Sequence, residues 1–155
     1  MVTTAYFQHC YANFDRTDPF FGSGLTQSLD RIPEADLHRP VGHRTIAQLL
    51  EHMLAWRYDL IKRLHDEPRE RIELNSPRDW PDPADRTKAH YLGEFAATAA
   101  RLKEGLAKFD ETKLGDILHP DYEYTSVEML EGGVQHDIYH LGQINLLAAL
   151  LKAQR

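Results

Sequence analysis

Apolar side chains along this chain recur at three- and four-residue intervals, and no stretch shows the strict alternation of a strand. Phe7, Cys10, Tyr11 and Phe14 mark a short amphipathic helix over residues 4–15. Asp18 followed by Pro19 has the form of an N-cap and first helical position. It restarts a helix to about Asp30 through Phe20, Phe21, Leu25 and Leu29, so the first helical arm is expected to be kinked or broken near Asp18. Pro33, Pro40 and Gly42 make residues 31–44 a connection. Thr45 with Gln48 is a capping-box pattern, and the second helix begins near Ile46 with a stripe of Leu49, Met53, Trp56, Leu60 and Leu64.

Residues 66–82, with Pro68, Pro77 and Pro81, form the longest irregular stretch. Asp82, Pro83 and Asp85 predict the start of the third helix, which buries Tyr91, Phe95, Ala99, Leu102, Leu106 and Phe109. After a connection over 110–124 containing His119 and Pro120, Thr125 and Glu128 form a second capping box. The last helix runs to about Ala153 with an inner stripe of Met129, Gly133, His136, His140, Ile144, Leu147 and Leu151. The expected fold is all-α: a four-helix bundle forming one domain over residues 1–155.

The chain has 155 residues, enough for a core that folds without disulfides or metal, which leaves any bound ion free for chemistry. With 18 basic and 24 acidic residues spread along the chain, the net charge of −6 disfavours nucleic-acid binding. The single cysteine, Cys10, has no internal disulfide partner and is expected to pack as a small apolar group. No signal-peptide pattern and no membrane-spanning apolar run is present, so a cytoplasmic location is expected.

His136 and His140 lie four apart on one helical face, at the spacing with which two imidazoles grip one ion. His52, at the margin of the second helix's stripe, is the best candidate for a third ligand. Three neutral histidines with an open position make a catalytic rather than a closed structural site. Ordinary half-buried histidines are the competing reading, and spacing alone leaves both open. His136-Asp137-Ile138-Tyr139-His140 differs from HExxH in carrying Asp, and no histidine follows it, so protease chemistry is disfavoured. Asp137 is read as a surface or supporting carboxylate that holds a histidine tautomer. Gly132 and Gly133 leave room beside the ion, and Trp80 is expected to pin its loop. His90 and Glu94 are read as a solvated pair.

The late His-Asp-x-x-His-x-Gly-Gln-Ile segment, Leu-Leu-Glu-His-Met in the second helix, and Asp79-Trp80-Pro81 together resemble the DinB/YfiT-like superfamily over nearly the whole chain. That resemblance implies a four-helix bundle, often dimeric, with a divalent ion, commonly nickel or zinc, held by His52, His136 and His140. The chain departs from one subgroup at Phe20-Phe21-Gly22, where a Trp-His-Gly-like segment is common. The family's activities include thiol S-transfer and hydrolysis. The expected function is therefore a metal-dependent enzyme that activates a low-molecular-weight thiol or water against a small electrophilic molecule, and the resemblance implies a homodimer. Gln143 and Tyr139 are candidates to orient that substrate. A non-catalytic, stress-associated metal-binding or dimerisation module is the alternative.

Overall fold

Capping chemistry decides where the long helices begin. In the computed structural model, which describes residues 2–15, 22–117 and 123–155, both capping boxes form. The Thr45 hydroxyl accepts from the Gln48 amide at 3.1 Å and Gln48 Oε1 accepts from the Thr45 amide at 3.0 Å. Each bond satisfies a backbone donor that the first helical turn cannot pair. The helices are α1 (Thr4–Asp15), α2 (Leu25–Arg31), α3 (Ile46–Leu64), α4 (Lys88–Lys108) and α5 (Ser126–Ala153), and no strand occurs among the described residues. The first arm is broken, since α1 ends at Asp15 and α2 starts at Leu25. The Asp18-Pro19 restart, Phe20 and Phe21 lie outside the described residues, as do His119 and Pro120.

The third long helix starts later than its sequence suggests. Asp82 Oδ1 accepts from the Ala84 amide at 2.9 Å, and Ala84 takes a left-handed φ of 45°. An Asx turn thus competes with helix at Asp82, and the left-handed residue ends that competition against the helix. Thr87 caps α4 instead, its side chain accepting from the His90 amide.

In the bundle α1 packs on α4 and α5, and α3 packs on the same two helices, so the long helices form a closed ring in the order α1, α4, α3, α5. Two apolar clusters fill it. One contains Met53, Phe95, Leu141 and Ile144; the other contains Phe7, Leu60, Leu102 and Leu130. Each such side chain removed from water contributes roughly 1.5–3 kcal/mol.

Between the clusters, each long helix supplies one polar side chain to a single layer. Arg57 of α3, 2% exposed, donates from Nε to Asp137 of α5 at 2.7 Å and from Nη2 to Asp15 of α1 at 2.9 Å. Thr98 of α4 lies 3.4 Å from Nη1. The rings of Phe95, Phe14 and Tyr11 surround the guanidinium at 5.0, 5.1 and 5.7 Å. Buried charges survive only when paired and hydrogen-bonded. The Arg57 layer therefore ties the registers of all four helices together. Among the described residues no helix is long and apolar enough to cross a membrane.

Candidate metal centre

His52 sits one turn before Trp56 on α3, and His136 and His140 sit one turn apart on α5, so the packing of α3 on α5 brings the three rings together. Each offers a nitrogen, and these nitrogens all lie within 4.8 Å of one another. The Nε2 atoms of His52 and His136 are 3.0 Å apart. The His140 ring centroid lies 4.6 Å from that of His52 and 4.4 Å from that of His136. The group could hold a metal ion.

What the remaining ring nitrogens do decides whether the donor set fits. His52 Nδ1 lies 2.6 Å from the Asp79 carbonyl oxygen, which can only accept, so the ring carries its hydrogen there and its Nε2 lone pair points at the cluster. His140 Nδ1 lies 2.6 Å from Gln143 Oε1, which sets the same tautomer. Two of the three rings are thus held with Nε2 as an acceptor, the state a divalent ion requires. Burial, then the neighbouring His136, pushes the His140 imidazole down to about 4, and burial first also lowers His52. Both rings are neutral at pH 7.

The loop over 66–82 builds the outer wall. Trp80 stacks on His52 with centroids 4.0 Å apart and planes 8° from parallel. Arg44, placed by the Val41–Arg44 bridge, lies 3.7 Å over the other indole face. Trp80 therefore packs against the histidine cluster as well as holding its loop. Asp79, 3% exposed, receives the Trp56 indole N–H at 2.8 Å and the Asn75 amide at 2.7 Å, which fixes the carbonyl that orients His52.

Asp137 departs from its expected place. It is 1% exposed and bound to Arg57, while its carboxylate stays 3.9 Å from His136 Nδ1. The tautomer-holding contacts come from Asp79 and Gln143 instead. Tyr139 is 63% exposed, with its ring edge-on to His140 at a centroid distance of 5.0 Å. Glu94 accepts from the Tyr58 hydroxyl on α3, so its partner is Tyr58 and not His90. Arg57 had a legible signal that periodicity alone did not interpret: it stands four residues after Met53 and three before Leu60, a charge within an apolar stripe.

A cavity of about 390 Å³ opens beside His136, walled by Trp56, Leu60, Met129 and Gly132. The two glycines divide their roles. Gly132 faces open space, whereas a Cβ on Gly133 would meet Tyr11 Oη at 2.5 Å and Leu60 Cδ2 at 2.8 Å. Gly133 thus serves the close approach of α1 and α3 to α5.

No curated protein and no solved structure matches this chain. A family model described as the DinB superfamily matches residues 23–144, which include all three histidines, the Asp79-Trp80 loop and Gln143. With most of its length under that one match and a helical bundle built around it, this chain belongs to the DinB superfamily.

Proposed function

We propose that this DinB-superfamily chain is a metal-dependent enzyme acting on a small electrophilic molecule, with His52, His136 and His140 as the ligands of a divalent ion. The observation that carries the reading is the pair of Nε2 atoms 3.0 Å apart, one of them held as a bare acceptor by the Asp79 carbonyl. Imidazole donors suit nickel and zinc. Held by these three histidines, the ion would supply the Lewis acidity that makes a thiol or water nucleophilic at neutral pH.

The chain's own residues do the rest. Asp79 and Gln143 hold His52 and His140 in their tautomers, and the Arg44–Trp80 stack keeps the His52 ring from turning. The cavity beside His136 admits the substrate against the apolar side chains of Trp56, Leu60 and Met129, with the paired charges of Arg57, Asp137, Arg63 and Asp59 on the rest of its wall. A low-molecular-weight thiol is the preferred co-reactant, by resemblance to thiol-dependent members of the family, with water as the alternative.

The 155 residues are read as one cytoplasmic domain that pairs with a second copy. Support for pairing comes from α5, where Ile138 and Leu146 are 59% and 60% exposed on either side of Gly142, which has open space around it. An antiparallel two-fold about Gly142 sets Ile138 of one copy on Leu146 of the other.

Elemental analysis of the purified protein, followed by thiol-dependent consumption of a model electrophile, tests the enzyme reading. His136→Ala is expected to lose both the ion and the turnover. Turnover that persists without the ion, or none in protein fully loaded with nickel or zinc, rejects it.

A further inference from the structure

Around the cavity beside His136, Arg57 is paired with Asp137, Arg63 with Asp59 and Tyr124, and Glu128 with the Thr125 amide, whereas one lining hydroxyl is left over. That hydroxyl belongs to Tyr11 of α1, which is 4% exposed, and it has no hydrogen-bond partner. Buried hydroxyls are rarely left so, because an unmade bond in a dry site costs more than a made one contributes. Phenylalanine would fill the same space without that cost. We propose that the Tyr11 hydroxyl, left without a partner in this wall, donates a hydrogen bond to a ligand of this cavity, which takes a small, largely apolar, uncharged molecule bearing one acceptor oxygen, such as a ketone, ester or epoxide.

Gly133 supports this placement. A Cβ there would lie 2.5 Å from the Tyr11 oxygen, so the phenol tip rests against the α5 backbone, kept clear by the missing side chain. His136 follows three residues later, a rise of about 4.5 Å along the helix. A molecule whose oxygen reaches Tyr11 therefore has its neighbouring atoms beside the histidine cluster.

Electrostatics select the kind of acceptor. Burial first, and then the nearby Asp137 carboxylate, push the Tyr11 phenol far above its ordinary range, so it keeps its hydrogen and donates at any working pH. Arg57 acts the other way and Asp15 adds to the rise; because Arg57 is paired with both Asp15 and Asp137 and Arg63 with Asp59, the wall carries no unmatched cation to attract a carboxylate or phosphate. The walls of Trp56, Leu60 and Met129 favour an apolar body, and a cavity of about 390 Å³ is in the range of small-molecule sites. Any reaction at that molecule rests on the metal-dependent reading, but binding does not.

The test uses two molecules of similar shape, acetophenone and ethylbenzene, titrated by ligand-observed NMR into the full chain kept metal-free with a chelator. The wild-type protein is expected to bind the ketone about fivefold or more tighter than the hydrocarbon. Tyr11→Phe is expected to bring the two affinities within about twofold, leave that for ethylbenzene unchanged, and keep or raise the thermal midpoint. A preference that survives in Tyr11→Phe overturns the assignment, as do equal affinities in the wild type, binding of neither probe, or a lowered midpoint that reveals a structural partner. Because both titrations exclude metal, failure of the histidine site to take up nickel leaves this ratio untouched. Loss of the ratio in protein that still binds nickel overturns the Tyr11 assignment alone.

Discussion

His52 and His136, donated by different helices and 84 residues apart in sequence, point their Nε2 atoms at each other across 3.0 Å. Two bare lone pairs at that distance repel, so a hydrogen or a cation must lie between them. The Asp79 carbonyl keeps the His52 hydrogen on Nδ1, which leaves His136 to supply the hydrogen when no ion is present. Were an ion held there, both Nε2 atoms would have to face it as acceptors, which would require His136 to carry its hydrogen on Nδ1.

The support given to His140 by Gln143 is separable from the ligands themselves. Gln143→Leu removes the acceptor 2.6 Å from His140 Nδ1 while leaving all three imidazoles in place. Nickel affinity measured by calorimetry is expected to fall about 10- to 100-fold, with the helical circular dichroism unchanged. Unaltered affinity would show that the ring needs no such partner.

Acid is expected to destabilise the metal-free protein through the histidine cluster. His140 titrates near 4 in the fold against about 6.5 in the unfolded chain, so between those values the unfolded state binds more protons. Stability is complete above about pH 6.5 and falls as pH drops toward 4, by on the order of 1–3 kcal/mol. Urea midpoints at a series of pH values measure it, and His140→Leu should flatten that part of the profile.

Arg57 is the residue whose loss should cost the fold most. Arg57→Met leaves Asp15 and Asp137 facing each other in the core with their shared partner gone. Breaking one side of a buried ion pair costs about 3–5 kcal/mol, equivalent to roughly 10 °C in thermal midpoint for a chain of this size. A drop of only a degree or two would mean that the two acids take up protons or water without penalty.

On the outer face of α5, Leu146→Glu places a carboxylate against Ile138 of the other copy in the proposed pairing without touching the core, since Leu146 is 60% exposed. Sedimentation velocity is expected to show a dimer for the wild type and a monomer for the variant. A wild-type monomer at high concentration discards the pairing.

The chain's own pattern determined the all-helical class, the starts of α3 and α5 at Thr45 and Thr125, and the break in the first arm, because caps and 3.6-residue periodicity are local properties of neighbouring residues. It also marked His136 and His140 as one face, since four residues along a helix is a fixed geometry. The start of α4 was not legible, because Asp82 can cap a helix or close its own turn, and only the left-handed Ala84 shows which occurs. Tertiary structure alone decided that His52 meets the α5 pair, that Arg57 rather than a histidine claims Asp137, and that a backbone carbonyl at Asp79 orients the site. Periodicity reports which face of a helix is buried, but the rotation and register with which two such faces meet depend on packing across the whole bundle.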